Sequence, residues 1–426
     1  MCWVSLPAEL RLMILAILAH EHRGLASYSP VCQEWQIFME EKNFRQLKLQ
    51  VSCLDDFQYM VTRQRKLVHH VWLNIDLPRY TCRSCKWQES ESWISRNDSI
   101  IRKAISKLFS ILSTWDPADS NLTLELSVQS PSDSEHWFKN YYFGTIAYKW
   151  HDPKHNWIDG RQVATPNSQA LLRLFGTVHL HFPEALSEVR VVTSFKYYDR
   201  EYRFMIEACL PKTLKRISVF QDFNEDHIAS LQILGSGSIF SQIDPIRHAD
   251  PAVGAAFAYR SLSLEELSAS YMVDARHFFQ ELQPLWTWNY LQSLVLTSGL
   301  LTGTASRTET SDLLHHAGLA ARSMPRLHTM AIWNGGKGEA CAFIYRKKNS
   351  GSSITWRSTW DLELGPSIVE AWEKVATEST QSRFWVEKHQ LRGDSITSHG
   401  DAICQLDLPY GVIDPASLWQ IRRECS

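Results

Sequence analysis

Leu291-Gln292-Ser293-Leu294-Val295-Leu296 sets apolar residues in the pattern apolar-x-x-apolar-x-apolar. Its second half alternates, which is a strand signal, because a strand turns successive side chains to opposite faces. Leu294 and Leu296 then share one face, and Ser293, Val295 and Thr297 share the other. The same pattern stands at Phe44/Leu47/Leu49, Val68/Val71/Leu73, Leu214/Ile217/Val219, Leu264/Leu267/Ala269 and Leu327/Met330/Ile332. Weaker copies are Leu122/Leu124/Leu126 and Phe175/Val178/Leu180. Between the copies lie stretches with helical spacing. One is 99–112, with Ile101, Ile105, Leu108, Phe109 and Leu112 on one face. Others are 200–210, 226–234, 273–282 and 311–322.

A strand–helix unit repeated with all strands in one direction builds a curved solenoid, and these copies resemble the strand half of a leucine-rich repeat. Their spacing is irregular against the roughly 20–29 residues of regular repeats, so long insertions are expected. The stretch 131–167 is one, dense in aromatics: Trp137, Phe138, Tyr141, Tyr142, Phe143, Tyr148, Trp150 and Trp157. The last hundred residues differ. There 341–345 and 353–364 read as two strands of a hairpin joined by Lys347-Lys-Asn-Ser-Gly351, and 368–376 reads as a helix. A repeat array needs an atypical terminal segment to close its core, and this one suits that role. The expected fold is α/β. Three helices over 1–45 precede an irregular leucine-rich-repeat-like solenoid over 46–340, a curved parallel sheet with helices outside, and a strand/helix cap over 341–426.

The N-terminal 45 residues read as helices. Pro7 fits a first helical turn, where its missing N–H costs nothing. Leu10, Met13, Ile14, Ile17 and Leu18 fall on one face, and Leu6, Leu12 and Leu15 are apolar off that stripe. So greasy a helix carries more apolar surface than small neighbours can cover. The stretch breaks at 20–24, resumes at 25–28, meets Pro30, and continues with Val31, Cys32, Trp35, Phe38 and Met39. Leu6, Pro7, Glu9, Leu10, Ile14, Leu15, Leu18, Leu25, Val31, Cys32 and Trp35 together resemble an F-box. Two positions depart from that pattern: Gly24-Leu25 stands where Asp-Leu is usual, and Pro30 falls where the second helix usually continues. The resemblance implies that these eleven residues grip a Skp-family adaptor, which hangs the chain on a cullin–RING ubiquitin ligase of the SCF type, while the rest of the chain selects a protein substrate. Residues 50–426 also resemble the C-terminal region of filamentous-fungal F-box proteins, which brings no characterised activity with it.

Composition agrees with a globular receptor. Lys plus Arg is 44 against 46 Asp plus Glu, a net charge of −2 that favours neither nucleic acid nor an acidic membrane surface. No apolar run is long enough to span a bilayer. The nine cysteines are scattered and odd in number, as expected of free thiols in a reducing compartment, cytoplasmic or nuclear. The F-box-like stretch opens at the first residues, so no secretory signal is expected ahead of it. The sequons at Asn97 and Asn121 are then chance matches.

Signs of chemistry are sparse. Cys82-Arg-Ser-Cys85 has metal-ligand spacing, but a zinc site needs two further ligands; His69 and His70 are near in sequence and no second C-x-x-C exists. A plain turn is the simpler reading, and no metal or cofactor is expected. Asn334-Gly-Gly-Lys337-Gly lacks phosphate-loop spacing and reads as a turn. His315-His316 and His179-x-His181 have no carboxylate nearby, and neither a G-x-S-x-G elbow nor H-E-x-x-H occurs. A receptor subunit needs no catalytic residue of its own. The alternatives are an adaptor-bound scaffold outside the ligase, and an enzyme with its pocket in the aromatic insertion.

Strand parity marks the substrate face. If Val71 and Leu73 point to the core, then His70, Trp72 and Asn74 point away from it. The same count gives Thr177, His179 and His181, then Arg216, Ser218 and Phe220, and finally Thr329, Ala331 and Trp333. Exposed aromatics in mid-interface carry much of a binding energy. Trp72, His179, His181, Arg216, Phe220 and Trp333 are therefore the expected substrate-docking residues.

Overall fold

The computed structural model describes residues 3–21, 25–116, 122–137, 139, 151–159, 161–164, 166–175, 186–187, 189, 192–197, 210, 213–221, 249–280, 282–379, 383–409, 412–413, 418 and 421. The chain is a mixed α/β protein. Its N-terminal helices α1 (Ala8–Glu21) and α2 (Gln33–Arg45) flank a 3-10 turn, Leu25–Tyr28. Cys32, two residues after Pro30, takes an extended backbone at the N-cap position of α2 and makes no side-chain cap bond. Strand β1 (Gln46–Gln50) leads to α3 (Leu54–Met60), β2 (His70–Asp76), α4 (Glu91–Leu112) and β3 (Leu122–Gln129). The insertion contributes α5 (Pro131–Glu135), the small hairpin β4 (Trp157–Ile158) and β5 (Arg161–Gln162), and α6 (Ser168–Phe175). Then come β6 (Val192–Tyr197), β7 (Arg216–Phe220), α7 (Pro251–Ser261), β8 (Glu266–Asp274), α8 (Ala275–Gln280), β9 (Ser293–Thr297), α9 (Arg307–Ala321) and β10 (Thr329–Gly336). The chain closes with β11 (Glu339–Lys348), β12 (Gly351–Ser358), α10 (Pro366–Ser379), β13 (Phe384–Gln390) and α11 (His399–Gln405).

Among the described residues eleven strands form one sheet in chain order, with only the β4–β5 hairpin apart. From β1 to β10 every neighbouring pair in the sheet is parallel. β11 and β12 then run antiparallel, and β13 pairs parallel with β12. The register carries the sequence pattern from strand to strand. Leu267 lies between Ile217 and Leu294, and Leu294 faces Met330. One row on, Ala269 lies between Val219 and Leu296, and Leu296 faces Ile332. Val71, Leu73, Ile217, Val219, Leu267, Leu294, Leu296 and Ile332 are all buried in one continuous core. Helix α4 closes that core with Ile101, Ile105, Leu108, Phe109 and Leu112, and α10 closes it with Ile368, Trp372 and Val375. Gly318 on α9 lets Trp372 approach closely, since a Cβ there would stand 3.0 Å from its ring nitrogen.

Several expectations change in detail. The strand beside β3 is Val192–Tyr197, whose alternation the sequence reading passes over, and Phe175 ends helix α6 instead of opening a strand. Val178, Leu180 and the helical stretch 226–234 lie outside the described residues, as does 200–210 apart from its last residue. The chain beyond 341 adds three strands to the same sheet before covering part of it. Lys337 and Gly338 form the tight turn between β10 and β11, with Gly338 at φ +77°, so the stretch is the turn its sequence suggests. Among the described residues no helix is long and apolar enough to cross a membrane.

Candidate functional site

The N-terminal helices expose an apolar stripe. Leu10, Met13, Ile14 and Ile17 recur at i, i+3, i+4 and i+7 on α1 and are between 37% and 59% exposed. Leu12 is also exposed, as are Val31 and Ile37 beside or on α2. Soluble chains seldom leave so many large aliphatic side chains together in water, and such patches mark docking surfaces. The two helices are tied beneath the stripe. Trp3 Nε1 donates to Glu34 Oε2 at 2.8 Å, and Arg11 Nε pairs with Glu34 Oε1 at 3.1 Å. Trp35 packs edge-on against Trp3 at 5.1 Å. Of the residues expected to meet the adaptor, Pro7, Glu9, Leu10, Ile14, Val31 and Cys32 are exposed, and Leu6, Leu18 and Trp35 are half-buried. Leu15 is fully buried, because it sits off the stripe and turns into the protein; it is not part of the surface. Leu25 opens the 3-10 turn between the helices.

The sheet face away from the main core divides in two. On β1–β3 it is polar and partly open. Trp72 is half-buried, donates Nε1–H to Ser127 Oγ at 2.8 Å, and lies under the Lys48 ammonium at 3.9 Å. Ser127 Oγ donates on to Asn74 Oδ1 at 2.9 Å, and Asn74 Nδ2 donates to Asp76 Oδ1 at 2.8 Å. His70 Nε2 meets Glu125 Oε2 at 2.9 Å. This chain of bonds fixes the Trp72 ring in place, an aromatic platform ringed by polar groups. Arg216 on β7 is half-buried three strands further along the sheet, with β3 and β6 between, and in the register row of His70.

From β7 to β11 the same face is covered. Phe220, Tyr271, Val295, Ala331, Trp333, Ala342 and Ile344 pack against Ile396, Ala402, Ile403, Leu406, Val412 and Ile421 in a second core. Phe220 and Trp333 are therefore buried, at 3% and 0% exposure, and present no surface to a partner in this fold. Strand parity places them correctly on the non-core face, but a distant segment lies over that face. His179 and His181 lie outside the described residues.

A third group of side chains, at the end of β2 and β3, escapes sequence reasoning except for its first half. Cys82 and Cys85 follow β2, and His136 and His155 come from the aromatic insertion. Cys82 Sγ lies 3.7 Å from His136 Nδ1 and 3.6 Å from His155 Nε2, and Cys85 Sγ lies 3.6 Å from the same His155 nitrogen. His155 Nδ1 bonds Asp152 Oδ2 at 2.6 Å, and Lys139 Nζ holds the same carboxylate oxygen at 3.0 Å. Burial alone would raise the Asp152 pKa, but the bonds from His155 and Lys139 bring it below its ordinary value. Burial lowers the pKa of His136, which favours the neutral ring, and raises that of the Cys85 thiol. His69 and His70 stand apart from this group.

Among known proteins, a family of unknown function (DUF6546) matches residues 209–414. That stretch runs from the approach to β7 through α11, and excludes both the N-terminal helices and the cysteine–histidine group. No curated protein and no solved structure matches the chain.

Proposed function

We propose that this chain is the substrate-recognition subunit of a cullin–RING ubiquitin ligase, with an F-box-like N-terminus that docks a Skp-family adaptor. The observation that carries the reading is the exposed stripe of Leu10, Met13, Ile14 and Ile17 on a helix tied to α2 from below. A stripe with the spacing of a buried helix face, left in water, supports a partner that covers it. The parallel strands in chain order, with one continuous core and helices against it, support a leucine-rich-repeat-like solenoid behind that module. The open face of β1–β3 around Trp72 is then the substrate-docking surface, with Arg216 further along the same sheet on β7. The chain is non-catalytic in this account. It holds a target near a charged conjugating enzyme and raises the effective concentration.

Affinity purification of the tagged chain from proteasome-inhibited cells tests the reading. Adaptor and cullin should co-purify, and Trp72→Ala should lose ubiquitinated partners while keeping both. Adaptor without cullin would mean a scaffold outside the ligase. Neither protein in the eluate would reject the function.

A further inference from the structure

The cysteine–histidine group has the geometry of a metal shell. A tetrahedral ion with sulfur at about 2.3 Å and nitrogen at about 2.0–2.1 Å sets S···N edges of roughly 3.6 Å. The three S···N separations here are 3.7, 3.6 and 3.6 Å. Donor atoms of Cys82, His136 and His155 all lie within 4.8 Å of one another. Cys85 stands outside that group of three: its thiol touches the same His155 nitrogen at 3.6 Å and donates weakly to the Cys82 carbonyl at 3.3 Å, a bond its thiolate would give up on turning in to complete the shell. We propose that Cys82, Cys85, His136 and His155 bind a structural zinc ion that fastens the aromatic insertion to the end of the sheet.

The outer contacts fit that role. Each histidine occupies its far nitrogen with an acceptor: His155 Nδ1 with Asp152 Oδ2, and His136 Nε2 with the Tyr80 carbonyl at 3.4 Å. Those bonds put the proton on the far nitrogen and aim the lone pair of the near one at the sulfurs. A carboxylate behind a ligating imidazole is the usual way such rings are oriented. Indole N–H groups brace the loops as well, Trp137 Nε1 donating to Cys85 O and Trp157 Nε1 to Trp137 O, both at 3.0 Å. The opposing reading is a set of satisfied core side chains. Sulfur is only a weak hydrogen-bond partner, so two thiols and two imidazoles turned on one another leave buried polar atoms poorly served. An ion satisfies all four at once.

Mixed thiolate and imidazole donors in a tetrahedron select zinc over magnesium or calcium. Cys85, His136 and His155 are buried, and with Cys85 as the fourth ligand no position is left open to substrate, which is the mark of a structural site. Its purpose follows from the local core. Among the described residues the apolar cluster there is small, Tyr80, Cys85, Trp137, Ala170 and Leu171, and small cores gain most from a metal staple. Zinc would join the loop after β2 to the segments after β3. The proposal stands whether or not the chain serves a ligase.

Metal analysis of the full-length chain, with any histidine tag removed, tests it. The purified protein should carry about one zinc per chain, since ion and fold form together. Cys82→Ser and His155→Ala should each bring the zinc to background, while Cys404→Ser, at an exposed thiol on α11, should keep it. A folded wild-type chain that holds no zinc and takes none from buffered zinc would overturn the proposal, as would full zinc in either ligand variant. Should the variants aggregate, X-ray absorption of the cobalt-substituted wild type decides. Two sulfur and two nitrogen ligands support the site, and a sulfur-free shell rejects it.

Discussion

Gly335 shows how a single position fixes the second core. A Cβ built there would stand 2.4 Å from the Cβ of Ala402 on α11, so only glycine lets the helix lie against β10. Next to it, Tyr271 holds φ at +64°, costly for an aromatic residue, inside a bulge of β8. Its hydroxyl donates to the Gly335 carbonyl at 2.9 Å, and its ring meets Phe220, Trp333 and His399. The bulge turns this ring onto the covered face. Gly335→Ala should push α11 off the sheet and cost about 1–3 kcal/mol, the usual range for overpacking, as measured by urea unfolding. Stability unchanged within error would mean that α11 is not seated there. The zinc ligands illustrate legibility at this scale. Cys82-x-x-Cys85 is visible in the sequence as half a site. His136 and His155 are not, because only the folded insertion brings them across, and the nearer pair, His69 and His70, sits elsewhere.

Elements are legible where periodicity is clean. β1, β2, β3, β7, β8, β9 and β10 all fall on the recurrent apolar pattern, because each buries alternate residues under a helix and local alternation reports that burial directly. β6 and β13 escape for different reasons. Val192/Phe195/Tyr197 keeps the spacing of the pattern but fills its last two positions with aromatics in place of aliphatics, and Phe384–Gln390 is an edge strand whose residues are mostly exposed or half-buried, so its charged composition hides it. Leu294 is the clearest test of the element scale. It is fully buried in mid-sheet between Leu267 and Met330, and Leu294→Ala should cost about 2–5 kcal/mol in chemical denaturation. A loss under about 1 kcal/mol would contradict a continuous core, since a well-packed site cannot collapse around a missing side chain.

In the whole molecule, the sheet presents one face to the helices and shares the other between a polar platform and the C-terminal cover. Arg357 Nη1 donates to Gln405 O at 3.1 Å, and Arg346 pairs with Asp407 at 2.8 Å, so two cations from the sheet hold the C-terminal end of α11. That cover is illegible in sequence. Parity tells which face Phe220 and Trp333 point to, but not that Ile396, Ala402, Ile403, Leu406, Val412 and Ile421 pack over that face. Parity does serve Trp72, which stays half-buried among polar neighbours on that face. The N-terminal stripe is the opposite case. Its spacing is read directly from Leu10, Met13, Ile14 and Ile17, and its exposure follows from the lack of neighbours to bury it. Titration calorimetry of the purified chain with a Skp-family adaptor puts that stripe to the most direct test. The account predicts a saturable one-to-one complex for the wild type. In Leu10→Ala/Ile14→Ala it predicts a loss of several kcal/mol, at roughly 2–4 kcal/mol per buried anchor. No heat with the folded wild type, or equal affinity for the double variant, would contradict it.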